Sequence, residues 1–184
     1  YILAGIAEHL RLRLVTLDNN AGDELISPEL LLPHLDDAAV VSLQAVQYRS
    51  GARQDVPGVT QLVRDHGGLV VWDAAHAVGS IDLRLDDWGV DLAVGCTYKY
   101  GNAGPGAPAW LYVRRHLQDT LRVPIQGWFA NRDQFAMGPR FEPADGIRRF
   151  QIATPAVLGL RAVRTSFAMI AEAGMKAIAE KATR

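Results

Sequence analysis

The chain of 184 residues is 49% hydrophobic and 21% charged, the balance of one globular domain with its own core and not of a disordered segment. A formal net charge of −1 gives no electrostatic reason for a nucleic-acid partner, and Arg114-Arg115 and Arg148-Arg149 read as solvated surface pairs. No apolar run reaches the roughly 18 residues of a membrane span. Cys96, the single cysteine, leaves neither an intrachain disulfide nor a thiolate metal cluster, so no metal is expected and a reducing cytoplasm is the expected compartment.

Tyr1 to Ile6 reads as the middle of a helix already under way, with no basic region followed by an apolar stretch that would mark a signal peptide. Leu12 to Leu17 alternates apolar and polar positions and predicts a strand. Ser27-Pro28-Glu29 predicts a helix N-cap with proline in the first turn. Ala38 to Val46 is a β-rich run that ends at the turn Gln47 to Gly51. Val59 to His66 has helical spacing and stops at Gly67-Gly68. Leu69 to Trp72 follows as a buried strand bounded by Asp73.

Val90 to Gly95 and Ala109 to Val113 predict two more short strands. Between them Gly101 to Pro108 is too rich in glycine and proline for a helix or a central strand. Thr154-Pro155 predicts the start of a long helix, with threonine as cap and Val157, Leu160, Val163, Phe167 and Ile170 on one face. Met175 to Arg184 stops inside an uncapped helical pattern, so the chain reads as an internal piece of a longer one. Strands alternating with helices imply an α/β domain with a mostly parallel sheet, and ligands of such sheets bind beyond the carboxyl ends of the strands.

Asp73 and Thr97-Tyr98-Lys99 both lie just past predicted strand ends. A lysine that forms an imine with an aldehyde, and a carboxylate that faces a pyridine nitrogen, are what pyridoxal phosphate needs from a protein. On spacing alone the pair leaves other readings open, since an aspartate after a strand also serves as a turn or cap residue and a lone lysine is usually solvated.

The surrounding residues narrow this. Trp72-Asp73-Ala74-Ala75-His76-Ala77-Val78-Gly79 resembles the aspartate motif of fold-type-I pyridoxal-phosphate enzymes. Gly95-Cys96-Thr97-Tyr98-Lys99-Tyr100, followed by Asn102 and Gly104-Pro105-Gly106-Ala107, resembles the lysine motif of the kynureninase family. Downstream, Gly127-Trp128-Phe129 and Arg148 to Pro155 are similar to further segments of that family in the same order, and upstream Val46-Gln47-Tyr48-Arg49-Ser50-Gly51 resembles one of its turns. The resemblance covers nearly the whole chain.

It implies a fold-type-I large domain, with helices on both faces of the sheet, over residues 1–154, and over 155–184 a long helix leading toward a C-terminal small domain. It implies that Lys99 holds the cofactor as a Schiff base and moves protons at the substrate's α-carbon. Asp73 would pair with the pyridinium nitrogen, His76 would lie against the cofactor, and Tyr98 would reach the phosphate and shuttle a proton. Trp128 and Thr154 would reach a phosphate of the neighbouring subunit in a homodimer with shared sites, and Gln44 stands where the family often has a small hydroxyl residue touching the cofactor. As plain chemistry, an indole N–H and a hydroxyl suit phosphate oxygens, although Trp128 could instead pack a core and Thr154 merely cap a helix.

The implied activity is hydrolysis of L-kynurenine or 3-hydroxykynurenine to anthranilate or 3-hydroxyanthranilate and L-alanine, in tryptophan catabolism and NAD biosynthesis. The alternatives are another fold-type-I activity, a class V aminotransferase or cysteine desulfurase, or a non-catalytic dimerising chain of that fold. Two positions depart from the family pattern: Asn131 stands where a histidine is usual, and Gly101 where leucine is. The family's N-terminal phosphate-binding segment would precede Tyr1, and the arginine that grips the substrate carboxylate would follow Arg184, so the chain alone is expected to be inactive.

Overall fold

Val40–Gln44 (β1) and Leu69–Asp73 (β2) run parallel, in register from Val40 opposite Leu69 to Gln44 opposite Asp73. Leu92–Gly95 (β3) adds to β2 in parallel, and Trp110–Val113 (β4) closes the order β1-β2-β3-β4 antiparallel to β3. This is a computed structural model, and it describes residues 1–18 and 24–183. Helices are α1 (Ile2–Leu10), α2 (Pro28–Leu35), α3 (Val56–Asp65), α4 (Arg115–Gln118), α5 (Val157–Ala173) and α6 (Met175–Ala182), with single 3-10 turns at Trp128–Ala130 and Gly146–Phe150.

The parallel pairing of β1 and β2 requires a crossover, and α3 supplies it. Asp55 starts that helix by accepting the amide of Gly58 at 3.1 Å. Val56, Val59, Thr60 and Val63 then fall on one buried face, against Val70 and Trp72 of β2. Leu31 and Leu35 of α2 complete this core. The turn that follows α3 delivers the chain directly into β2, with the amide of Leu69 bonded to the carbonyl of Ala39 at 3.1 Å.

Two expectations are overturned. Residues 12–17 form no strand: Leu12, Leu14 and Val15 are exposed, and no partner strand lies beside them among the described residues, so the alternation has neither a ladder nor a core to satisfy it. Thr154 does not cap the long helix. The first helical bond runs from the amide of Leu160 to the carbonyl of Ala156, and Thr154 stays exposed in the non-helical residues before Pro155, as steric restriction ahead of proline favours. Ser27 does stand at the N-cap of α2 with Pro28 at the first position, but its hydroxyl makes no capping bond. Its hydroxyl instead serves the carboxylate of Glu29, which that bond holds below the usual carboxylate range.

Candidate active site

Asp73 is the last residue of β2, and its main chain is tied to both neighbouring strand ends. Its carbonyl accepts the amide of Ala45 at 2.9 Å, and the next amide, of Ala74, donates to Val94 at 2.8 Å. The side chain folds over the turn that follows, with Oδ1 accepting from the amide of Ala75 at 2.8 Å. That turn carries His76 back toward the end of β3.

Lys99 sits on the turn after β3. The carbonyl of Lys99 accepts from the amide of Asn102 at 3.0 Å, and the carbonyl of Thr97 accepts from Ala103 at 3.0 Å. The hydroxyl of buried Thr97 donates to the carbonyl of Pro108 at 2.7 Å and pins the same turn to the glycine-rich loop. From this base the amine of Lys99 reaches Nε2 of His76 at 3.1 Å. The two turns are held together by a main-chain contact: at Gly79 (φ 81°) a Cβ would overlap the carbonyl of Tyr100. Only glycine combines that backbone angle with that approach.

Burial and the neighbouring ammonium of Lys99 push the His76 imidazole below the ordinary histidine range, against a smaller opposing effect of Asp73. This favours the neutral imidazole, in which Nε2 is able to accept from the Lys99 amine. The rings of Tyr48 and Tyr100 flank it, with centroids at 6.2 and 6.3 Å. Sequence reasoning placed both tyrosines in motifs but gave them no role, because ring-to-ring neighbours across two turns leave no mark in spacing.

Gln44, opposite Asp73 in the strand register, carries a buried Oε1 with no hydrogen-bond partner among the described residues. Tyr98 is half exposed, and its ring lies 5.9 Å from the Lys99 amine. Asp73, His76, Lys99, Tyr98 and Gln44 thus gather at the ends of β1, β2 and β3. Trp128 and Thr154 do not join them: among the described residues no hydrogen bond or ring contact links either to that cluster. They belong to a second locus, where Gly127 lies so close to the carbonyl of Ile152 that a Cβ would overlap it. Trp128 stands edge-on to Phe129 and Phe135, at 4.6 and 6.1 Å between centroids.

A sequence profile of the family described as Aminotransferase class-V matches residues 4–184. The chain belongs to the class V aminotransferase family. Within that family it is 38% identical to a kynureninase of Pseudomonas fluorescens, over 98% of this chain and 42% of that protein. It is 42% identical to a kynureninase of Burkholderia mallei, over 79% of this chain and 35% of that protein. The chain therefore spans less than half the length of these relatives. Among solved structures, a cysteine desulfurase from Thermococcus onnurineus NA1 superposes with a TM-score of 0.77 at 22% identity, over 95% of this chain and 42% of that one. An alanine–glyoxylate aminotransferase from Nostoc sp. gives 0.71 at 23%, over 97% and 47%. These share the fold, that of fold-type-I enzymes.

Class V aminotransferases and kynureninases depend on pyridoxal phosphate. The residues present fit that group. A primary amine and a carboxylate stand at adjacent strand ends of the sheet, and beside the carboxylate Gln44 offers a buried acceptor that nothing in the described chain satisfies. Such an orphan is costly unless a bound polar group meets it.

Proposed function

We propose that this chain is the cofactor-binding part of a kynureninase-type hydrolase that cleaves L-kynurenine or 3-hydroxykynurenine to the anthranilate product and L-alanine. The carrying observation is the 3.1 Å contact between the Lys99 amine and His76, one turn beyond Asp73, in a chain 38–42% identical to kynureninases. The solved aminotransferase and desulfurase resemble it only at the 22–23% that speaks for fold.

When bound, pyridoxal phosphate supplies an aldehyde for a lysine and a ring that takes up electrons from the substrate's α-carbon. The chain's own residues do the rest. Lys99 provides the amine and moves the proton at the α-carbon. Asp73 sets negative charge against the ring nitrogen. His76 gives the Lys99 amine a hydrogen-bond acceptor and would lie against the cofactor, which Gln44 would also help to hold. Tyr98, Trp128 and Thr154 are assigned to phosphate, the last two reaching the site of the other subunit in a homodimer. Residues 1–154 form part of the large domain and 155–184 lead toward a small domain. The setting is cytoplasmic tryptophan catabolism feeding NAD biosynthesis.

The test uses the full-length enzyme with kynurenine as substrate. Fluorescent anthranilate is the expected product, and Lys99→Ala should abolish both turnover and borohydride fixation of the cofactor. A keto acid product would assign a different class V reaction. A borohydride-stable adduct persisting in Lys99→Ala would move the carrier role to another lysine.

A further inference from the structure

The departure at Asn131 has a structural reading. Its side chain is used on both atoms: Nδ2 donates to the carbonyl of Asp133 at 2.7 Å, and Oδ1 accepts from the amide of Glu142 at 2.8 Å. Residues 131 and 142 are thereby drawn together at the base of an excursion of the chain. Four more bonds brace the base. Arg132 donates its amide to the carbonyl of Glu142 at 2.7 Å, and Ala144 donates to Ala130 at 2.8 Å. The guanidinium of Arg148 donates to the carbonyls of Asn131 and Arg132 at 3.1 and 2.6 Å.

A loop closed so firmly at its neck is not a loose connection. Inside it, Asp133 accepts the amide of Phe135 at 3.1 Å and sets the direction of that residue. Phe135 then stands edge-on to the indole of Trp128, although the residue is 71% exposed. An aromatic ring left so open gains little by burial, so what fixes its place is the geometry of its neighbours and the contact with the indole. Phe129 meets the same indole at 4.6 Å between centroids. Among the described residues the indole N–H donates to no protein acceptor, and Trp128 remains 40% exposed. It is a donor held in place and left available.

We propose that the loop from Asn131 to Pro143 is a clasp that sets the indole of Trp128 for an anionic oxygen, with Asn131 fastening the loop and Phe135 positioning the ring. Asn131 is then a positioning residue in this chain and does not meet substrate. This rests on the reading of Trp128 as a phosphate donor.

The experiment measures dissociation constants of two ligands for the full-length apoenzyme, pyridoxal phosphate and pyridoxal, which lacks the phosphate. Phe135→Ala and Asn131→Ala should each weaken pyridoxal phosphate by about tenfold, the scale of one charge-assisted hydrogen bond, and leave pyridoxal unchanged. Phe135→Leu, the milder change that keeps the fold should alanine disturb it, should lose a smaller factor with the same selectivity. In a Trp128→Ala background, Phe135→Ala should add nothing, because the group it positions is gone. Equal weakening of both ligands would mean a merely structural loop and overturn the proposal. So would a Phe135 variant that binds both ligands like the wild type while Trp128→Ala loses phosphate selectivity. If Trp128→Ala itself left the selectivity intact, the phosphate role of Trp128 would fail first, and the clasp with it.

Discussion

The indole N–H of Trp72 in β2 donates to the hydroxyl of Thr60 in α3 at 2.9 Å, and both side chains are fully buried. This single polar bond inside an apolar layer fixes how the crossover helix sits on the strand that ends in Asp73. Thr60→Val keeps the shape and removes the acceptor, leaving a buried donor unmet at a cost of about 1–3 kcal/mol. Thr60→Ser keeps the acceptor and sheds only a methyl, at about 1 kcal/mol. Urea unfolding of the full-length protein should rank valine as the more damaging change. The reverse order would show that the methyl, not the bond, matters at this position.

His76 should titrate below the ordinary histidine value of 6.5. Its folded value is lowered, so the stability tied to its neutral form is present above 6.5 and is lost as pH falls from there through the folded value. Lys99→Ala removes the neighbouring ammonium and should raise the midpoint, whereas Asp73→Asn removes the compensating charge and should lower it further. Imidazole proton shifts followed by NMR across pH 4–8, a range of about four units around the ordinary value, would read all three. Movement of the two variants in the same direction would contradict this electrostatic account.

Tyr112 of β4 donates its phenol to Asp86 at 2.5 Å. Burial first, then this carboxylate, push the phenol from 10.0 up to about 12. The folded value is raised, so the associated stability is present below pH 10 and disappears as pH climbs toward 12. Ultraviolet titration of the native protein should show one late-ionising tyrosine that is absent in Tyr112→Phe. A late step that survives Tyr112→Phe would assign it to another tyrosine.

If Trp128 and Thr154 serve the other subunit's site, complementation follows. Full-length Lys99→Ala and the double variant Trp128→Ala/Thr154→Ala should each be inactive or badly impaired as homodimers. A mixed dimer gathers both defects into one site and leaves the other intact, so up to about half of wild-type activity should return where the sites act independently. No recovery in differentially tagged, verified mixed dimers would return both residues to their own subunit's site or to packing.

Much of the sheet was legible because its strands are short apolar runs closed by polar or glycine residues, as at Leu69 to Asp73 and Leu92 to Gly95. The placement of Asp73 and Lys99 followed from the same pattern. What periodicity missed depended on partners it does not see. Leu12 to Leu17 has the alternation of a strand and none of its neighbours. The apolar face expected on α5 is only partly covered: Val157 and Leu160 are exposed, while Phe167 reaches the space over Gly101. A Cβ there would stand 2.9 Å from the Phe167 ring and 2.6 Å from the carbonyl of Thr97, which gives the departure from leucine at 101 a packing cause. Phe135 carried no sequence signal at all, since an exposed phenylalanine in a loop has no period to betray it.

The contact between Gly79 and the carbonyl of Tyr100 is made by main chain on both sides. The gap between the carboxylate arm and the amine arm is therefore gauged by peptide units, which mutation at neighbouring positions leaves unchanged. The buried alanines at 74 and 77 and the hydroxyl of Thr97 brace those units from either side. Position 79, which carries no side chain and touches no reacting atom, is thereby as constrained as the residues assigned to the chemistry.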